Sequence, residues 1–326
     1  MVKFRLAGWI AVAAALFPAL SVAQSNYPNR PVKMIIPFAP GGASDFVGRI
    51  FQPRLSELLG QQVVIENRAG ASGNIGLEAA AKAVPDGYTI YLGNVGTVAI
   101  NPGVFLKLTV NPVKDFIAVT QLVDVPGVLV AHPSFPPNTF KEMIAYAKAN
   151  PGKLNYASPG SGSQNRLEME LVRRAAGLDM VHVPYKGGAG PAATGLIAGE
   201  THLMFTTVSS VLGHIKNGRL NALAVVSAKR LAQLPDVPTM VESGYSESTS
   251  GSWQGIFVPA GTSKDIVDRL YAVLQQTMRS PEVVGRLANG GVEVVTSPSP
   301  AAFAAYVAAE TSRWGKVARE SGATVD

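Results

Sequence analysis

The sequence contains no cysteine and few charged residues, and both absences narrow the kinds of protein it can be. Without cysteine, the chain has no disulfide framework and no residue for a lipoprotein anchor. Charged residues make up 15% of the chain and hydrophobic residues 47%, which is typical of a packed globular protein. The basic residues are scattered, with adjacent pairs only at Arg173-Arg174 and Lys229-Arg230, so no nucleic-acid partner is expected.

Motifs for nucleotide binding and for common hydrolytic chemistry are also missing. The sequence has neither G-x-G-x-x-G nor G-x-x-x-x-G-K-S/T, and neither a G-x-S-x-G elbow nor H-E-x-x-H. The four histidines, His132, His182, His202 and His214, are therefore interpreted as structural or surface residues. We expect no catalytic residue, no cofactor and no metal site.

Residues 1–23 are predicted to be an export signal. Lys3 and Arg5 precede an apolar run from Leu6 to Leu20, and small residues end the segment at Ser21-Val22-Ala23. The apolar run is too short to span a membrane. Cleavage after Ala23 would place in the periplasm a mature chain that is long enough for two domains.

A strand, a glycine turn and a helix start follow one another from Val32 to Glu57. Val32–Ile36 has the pattern of a strand, and Pro40-Gly41-Gly42-Ala43-Ser44-Asp45 then leads into a helix. Glycine allows a positive φ and lets a ligand approach closely. The first N–H groups of a helix have no partner within it and lie at the positive end of its dipole. Such a turn suits an anion, or it is a structural turn with Ser44 or Asp45 as N-cap.

A second copy of this arrangement lies between Leu154 and Ala176. There a short strand meets Ser158-Pro159-Gly160-Ser161-Gly162-Ser163, and a helix follows. A third glycine turn occupies Tyr185–Gly190. Two anion-binding loops of this kind would suit one ligand that is bound from two sides.

Short β-rich runs alternate with helical periods from Tyr27 to the C-terminus. This alternation predicts an α/β fold with a mostly parallel sheet and helices on both faces. Ligands bind such sheets at the carboxyl ends of the strands, where all three glycine turns are expected. Pro53, inside the first helix, predicts a kink or a break there.

Seven short motifs follow one another along essentially the whole mature chain: Tyr27-Pro28-Asn29-Arg30-Pro31, Pro40-Gly41-Gly42 with Asp45, Glu66-Asn67-Arg68-Ala69-Gly70-Ala71-Ser72-Gly73, Pro85-Asp86-Gly87-Tyr88, Val183-Pro184-Tyr185-Lys186-Gly187-Gly188, Pro235-Asp236-Val237-Pro238-Thr239 and Pro259-Ala260-Gly261-Thr262. In these motifs and in their order the chain resembles the solute-binding proteins of the tripartite tricarboxylate transporter family, the Bug type. Each motif alone is weak, but seven in family order are specific.

The resemblance implies a periplasmic-binding-protein fold, with two α/β lobes, a ligand cleft between them and two chain crossovers. By that resemblance residues 24–125 and 251–326 form the first lobe, and residues 126–250 form the second. The implied ligand is a small carboxylate, such as a di- or tricarboxylate, an acidic amino acid or an aromatic acid. The implied partners are the permease subunits of a tripartite tricarboxylate transporter, and the protein is expected to be a monomer.

Two other functions remain open from the sequence. A periplasmic sensor that reports the same ligand to a membrane signalling protein would have the same cleft. A secreted hydrolase is the second alternative, because the chain contains many serines and four histidines.

In the predicted mechanism, the loops Gly41–Asp45 and Ser158–Gln164 bind one carboxylate from opposite lobes, largely through backbone N–H groups, helix N-termini and waters. Tyr185 and Thr206 are expected to contact the rest of the ligand. The residues predicted to bind the ligand are Phe38, Pro40, Gly41, Gly42, Ala43, Ser44, Asp45, Ser158, Gly160, Gly162, Ser163, Gln164, Tyr185 and Thr206.

Two positions depart from the family pattern. Arg166 stands where the family usually has histidine, and His202 stands where an acidic residue is usual. Arg166 would be either a cation near the ligand or an exposed helix residue.

Overall fold

The computed structural model describes residues 27–227, 229–245 and 251–322, so the predicted export signal lies outside the described residues. The strands are β1 Val32–Ile36, β2 Val63–Asn67, β3 Thr89–Asn94, β4 Phe116–Val125, β5 Gly127–Ala131, β6 Leu154–Ser158, β7 Met180–Pro184, β8 Leu203–Thr207, β9 Asn221–Val226, β10 Ser252–Pro259 and β11 Glu293–Val294.

Helices connect most of these strands. They are α1 Ala43–Leu59, α2 Asn74–Ala81, α3 Asn101–Val104, α4 Pro112–Asp115, α5 Phe140–Ala149, α6 Gln164–Ala176, α7 Ala189–Ile197, α8 Val208–Lys216, α9 Lys264–Met278, α10 Pro281–Asn289 and α11 Pro300–Ser321. A short 3₁₀ turn covers Ala71–Gly73, and a wide π-helical segment covers Gly96–Ile100. No helix in the described ranges is long and apolar enough to cross a membrane.

The larger lobe is built on a six-stranded sheet with the order β11-β4-β10-β3-β1-β2. One face of this sheet packs against α1 and α9 through residues such as Phe51 and Leu270. The other face packs against α11 through Trp253, Phe257 and Phe303, whose rings contact one another. Apolar cores on both faces fix the sheet between two helical layers.

The smaller lobe is built on a five-stranded sheet with the order β7-β6-β8-β5-β9. The chain enters this lobe at Pro126, directly between β4 and β5, and returns to the larger sheet between β9 and β10. These two crossovers, together with the two sheets, give the predicted two-lobed α/β fold.

The prediction of a mostly parallel sheet is wrong. β1 is parallel to β2 and β3, and β6 is parallel to β7 and β8. However, β10 is antiparallel to β3 and β4, and β5 is antiparallel to β8 and β9. β5 and β10 are the strands that follow the two crossovers, and β11 also pairs antiparallel with β4.

Helix α1 differs from the prediction at two points. It continues through Pro53 as a single element, and because Pro53 is exposed, the missing hydrogen bond lies on the solvent side. Its N-cap is Gly42, so Ser44 and Asp45 lie within the first turn and neither is the cap.

The two lobes contact each other at more than one place. Near the first glycine turn, the Ala39 N–H donates to the Gly187 carbonyl oxygen at 2.9 Å. Beside α10, the Gln233 side-chain amide donates to the Ala288 carbonyl oxygen at 2.6 Å. The structure therefore has the lobes closed on one another.

Candidate ligand-binding site

A cavity lies between the lobes, with about 560 Å³ of empty space that is partly open to solvent. None of the residues that line it is Lys, Arg, His, Asp or Glu. Residues of both lobes contribute: Phe38, Gly42, Ala43, Ser44, Ser72, Asn94, Val95, Gly96, Pro159, Gly162, Ser163, Gln164, Asn165, Ala189, Thr207, Ser252 and Gln254.

Helix starts form a large part of this lining. Ala43 and Ser44 begin α1, Ala189 begins α7, and Thr207 directly precedes α8. No side chain caps any of these three helices. The Val208 N–H at the start of α8 donates to the Pro126 carbonyl oxygen at 2.9 Å. The positive ends of three helix dipoles, none neutralised by a side-chain cap, lie at one cavity.

Helix α6 begins at the same cavity. Its N-cap Ser163 accepts a hydrogen bond from the Arg166 N–H at 3.2 Å, and Gln164 and Asn165 follow as its first residues. One turn further, Glu168 accepts hydrogen bonds from the Gln164 Nε2 at 2.9 Å and the Asn165 Nδ2 at 3.4 Å. Burial raises the pKa of the Glu168 carboxyl to about 8, which these two hydrogen bonds only partly offset.

Strands β3 and β10 contribute two amide side chains from the larger lobe. Asn94 and Gln254 lie opposite each other in the antiparallel pair. The Asn94 Oδ1 accepts from the Thr97 N–H at 2.9 Å. The Gln254 side chain is 1% exposed, and its Oε1 has no hydrogen-bond partner among the described residues.

The structure brings part of the predicted site together. The predicted residues found in the lining are Phe38, Gly42, Ala43, Ser44, Gly162, Ser163 and Gln164. The predicted residues outside it are Pro40, Gly41, Asp45, Ser158, Gly160, Tyr185 and Thr206.

Asp45 supports the first loop and does not line the cavity. Its carboxylate accepts hydrogen bonds from the Gly41 N–H at 3.2 Å, the Arg49 Nε at 2.9 Å and the Asn67 Nδ2 at 3.2 Å. Burial favours the neutral form of Asp45, but these hydrogen bonds together hold the pKa of the carboxyl below its usual value. Gly41 and Asp45 face a separate, more open groove on the far side of the loop.

Ser158 lies behind the second loop. Its hydroxyl is 2.7 Å from the His182 Nε2 and 3.2 Å from the Gly160 carbonyl oxygen. Burial, together with the nearby guanidinium groups of Arg166 and Arg173, lowers the pKa of His182 to about 4. This Ser–His pair lies outside the cavity lining, so its geometry does not support the hydrolase alternative.

Tyr185 and Thr206 also have partners or positions away from the cavity. The Tyr185 hydroxyl donates to the Glu200 carboxylate at 2.6 Å. Thr206 is fully buried, whereas its neighbour Thr207 lines the cavity. Side chains alternate between the faces of a strand, so the last residue of β8, not the one before it, faces the lobe interface.

The two positions that depart from the family pattern have structural partners. Arg166 Nη1 donates to the Ser161 carbonyl oxygen at 3.1 Å, which ties the side chain to its own loop. His202 Nδ1 lies 2.7 Å from the Asn155 Oδ1. Neither residue lines the cavity.

Sequence reasoning missed several lining residues: Ser72, Asn94, Val95, Gly96, Pro159, Asn165, Ala189, Thr207, Ser252 and Gln254. Ser72 and Ala189 lie within glycine-rich motifs or turns, Pro159 lies within the second loop and Asn165 directly follows it, so these four had a local signal. The others lie at strand ends or strand-to-helix junctions that no motif marks.

The model of the tripartite tricarboxylate transporter family receptor, TctC, matches residues 47–323. The chain belongs to this family. Among its TctC relatives is the protein BugT of Bordetella pertussis, which is 36% identical over 307 residues, 94% of this chain and 93% of BugT. The predicted Bug-type relationship is therefore confirmed.

Solved structures confirm the predicted fold of this TctC-family chain. The periplasmic binding protein BugD matches with a TM-score of 0.88 and 36% identity, over 91% of this chain and 99% of BugD. MatC of Rhodopseudomonas palustris, with bound malate, matches with a TM-score of 0.84 and 34% identity, over 89% and 99% of the two chains. R. palustris Rpa4515, with adipate, matches with a TM-score of 0.87 and 34% identity, over 91% and 98%.

Replacement of Asp45 by Asn tests its role in the first loop. The change keeps the shape but removes the charge that accepts three hydrogen bonds, so the free energy of unfolding should fall by about 1–2 kcal/mol at pH 7. Because the folded-state pKa is lowered, the wild type loses this stabilisation as the pH falls through that pKa, and the gap should close in acid. Urea unfolding at pH 7 and pH 3 measures both values. Asp265→Asn, an exposed first-turn aspartate of α9, is the control and should change little.

Glu168 should make stability depend on pH in the opposite sense. Its carboxyl titrates near 4.5 when unperturbed and near 8 in the folded protein, so between these pH values the folded state holds a proton that the unfolded state releases. The free energy of unfolding should therefore fall as the pH rises from about 5 to 8 and level off above, by a few kcal/mol at most.

Glu168→Gln should remove this component of the pH dependence. Urea unfolding between pH 5 and pH 9 checks it, with Glu57→Gln at an exposed position of α1 as the control. Parallel curves for the wild type and Glu168→Gln would show that Glu168 keeps an ordinary pKa.

Proposed function

We propose that this protein is an extracytoplasmic solute-binding protein that captures a small carboxylate between its lobes and delivers it to a tripartite tricarboxylate-type permease. The observation that carries the proposal is the cavity between the lobes, where α1, α7 and α8 begin without side-chain caps and no lining residue is charged. Such a site binds an anion through backbone N–H groups and helix dipoles.

The magnitudes are sufficient for useful affinity. Each helix start contributes roughly 0.3 to 1 kcal/mol toward an anion, and up to about 2 kcal/mol where it is partly buried. Each hydrogen bond to a charged group adds about 1.5 to 3 kcal/mol. Three helix starts and a few backbone donors therefore reach the roughly 8 kcal/mol that micromolar binding needs.

Ligand binding would drive closure of two lobes, residues 24–125 with 251–326 and residues 126–250. In the closed arrangement, Ala39 N–H bonds to Gly187 O, and the Gly162 N–H lies 3.5 Å from the Ser72 Oγ. A ligand that contacts α1 on one lobe and α6, α7 and α8 on the other can make all its contacts only when the lobes are closed. It therefore binds the closed form better and shifts the population toward it.

The relatives support the ligand class and the cellular site. The structure of MatC contains bound malate and that of Rpa4515 is with adipate, both carboxylates, and BugD is a periplasmic binding protein. The export signal expected at residues 1–23 would bring this chain to the same compartment. In that setting the closed, loaded form would be the one that the permease recognises.

A thermal-shift screen of residues 24–326 tests the carboxylate proposal. The panel contains malate, adipate, glutamate and nicotinate, each beside its amide and methyl ester. At 100 times its dissociation constant, a ligand stabilises the fold by about 2.7 kcal/mol, which shifts the melting temperature by several degrees. We expect shifts from acids and none from the matching esters; shifts from the neutral compounds alone would refute carboxylate binding.

Gly190→Ala tests closure separately from the ligand's chemistry. A Cβ on Gly190 would lie 2.7 Å from the Pro40 carbonyl oxygen on the other lobe, so the lobes should close less fully and affinity should fall about tenfold or more. Gly213→Ala is the matched control, because a Cβ there meets nothing within 4 Å. Calorimetric titration with the acid that gives the largest shift measures the affinity. Equal affinities for the two variants would contradict the closure mechanism.

A further inference from the structure

Glu168 is a buried carboxyl behind the cavity that the proposed mechanism does not use. It is 3% exposed, and no ion pair to it is found in the described parts of the chain. Its hydrogen-bond partners are Gln164 and Asn165, which themselves line the cavity. A change at Glu168 therefore reaches the ligand through these two amides.

The two amides are oriented by this contact. Gln164 donates its Nε2 to Glu168 Oε1, and Asn165 donates its Nδ2 to Glu168 Oε2. Above its pKa of about 8, the Glu168 carboxylate is ionised and only accepts hydrogen bonds, so it then holds both NH₂ groups on its own side. The Asn165 side chain can then contact a ligand only through its amide oxygen, which is a hydrogen-bond acceptor.

A second, independent observation also indicates a hydrogen-bond acceptor at the cavity. Gln254 lines the cavity from the larger lobe, is 1% exposed, and its Oε1 has no hydrogen-bond partner among the described residues. A buried acceptor without a partner costs stability unless a ligand or water supplies a donor. The cavity therefore combines N–H donors at the helix starts with amide acceptors from Asn165 and Gln254.

We propose that Glu168 is a positioning residue for ligand specificity, because it holds the amide acceptors in place. With these acceptors in place, the site binds a carboxylate ligand that also carries a hydrogen-bond donor, such as a hydroxyl or an ammonium group, in preference to a ligand that carries a second carboxylate. The inference rests on the proposed carboxylate-binding function and names the ligand class within it. A second carboxylate has no hydrogen to donate to the amide oxygens, whereas a hydroxyl can donate to one of them and an ammonium group can donate to both.

Matched ligand pairs test this inference by calorimetric titration. Each pair keeps one carboxylate and replaces the other by a donor: terephthalate against 4-(hydroxymethyl)benzoate, glutarate against 5-hydroxypentanoate, and succinate against 4-aminobutyrate. Titrations are run at pH 9, where Glu168 is ionised. Because leaving a buried acceptor unpaired is costly, we expect the donor-bearing member to bind about tenfold tighter or more in at least one pair.

Two variants separate the roles of the acceptors. In Glu168→Gln the new amide can donate as well as accept, which frees the lining amides to turn, so the preference should fall below about threefold. Gln254→Leu should weaken the donor-bearing ligand about tenfold and leave the dicarboxylate unchanged. Glu170→Gln is the control, because Glu170 lies on the same helix but bonds to Tyr156 and Arg173, and the preference should remain as in the wild type.

The outcomes distinguish this inference from the proposed function. A dicarboxylate that binds as well as or better than its partner in every pair would overturn the inference and leave carboxylate binding intact. A preference that persists in Glu168→Gln would show that Glu168 does not cause it. If neither member of any pair binds, and the acids of the wider panel do not bind either, the proposed carboxylate-binding function is refuted. The inference, which rests on that function, is then refuted as well.

Discussion

Helix starts without side-chain caps are the feature on which the rest of this structure depends. A buried N–H without an acceptor is costly, yet α1, α7 and α8 all begin at one cavity with no side-chain cap. The main chains of the two lobes must come very close for these helix starts to share a cavity. A Cβ at Gly190 would lie 2.7 Å from the Pro40 carbonyl oxygen of the other lobe, so only glycine fits at that approach. The glycine turns are thus a requirement of the closed cavity as well as of the turns themselves.

A cavity built from dipoles differs physically from one built on a buried cation. A buried Arg or Lys costs several kcal/mol to desolvate before any ligand arrives. Helix starts carry only partial charges, and the cost of desolvating them is already met when the protein folds. These partial charges still favour an anion. The absence of charged residues from the lining therefore suits a protein that must release its ligand as well as bind it. The charged groups nearest this lining, Asp45 and Glu168, orient neighbouring groups by hydrogen bonds.

The sequence allowed prediction of features that depend on neighbouring residues, and of the family fold through its motifs. The strand, turn and helix start at Gly42 and the second loop at Ser163 are local, and the structure contains both. β4 was not anticipated, because Phe116–Val125 is buried on both faces and shows no alternation. Asn94 and Gln254 could not be placed together, because their proximity arises from the pairing of β3 with β10, which are distant in the chain. Thr207 was missed in favour of Thr206 because one residue of register decides which side chain faces the cavity.

Lining residues of the cavity lie on strands that are next to the crossovers between the lobes or pair with such strands. Gln254 lies on β10 opposite Val123 of β4, and Thr207 on β8 lies opposite Gly127 of β5. β4 and β5 are joined at Pro126, where the chain first passes between the lobes, and β10 is where it returns. Glu168 Oε2 lies 3.6 Å from the position that a Cβ on Gly127 would occupy. A ligand group that bound at Gln254 or displaced the amides above Glu168 would therefore act on strands that lie next to the crossovers. Because a ligand shifts a conformational equilibrium only by its difference in affinity for the two states, residues that contact the ligand only in the closed form would contribute both to the choice of ligand and to closure.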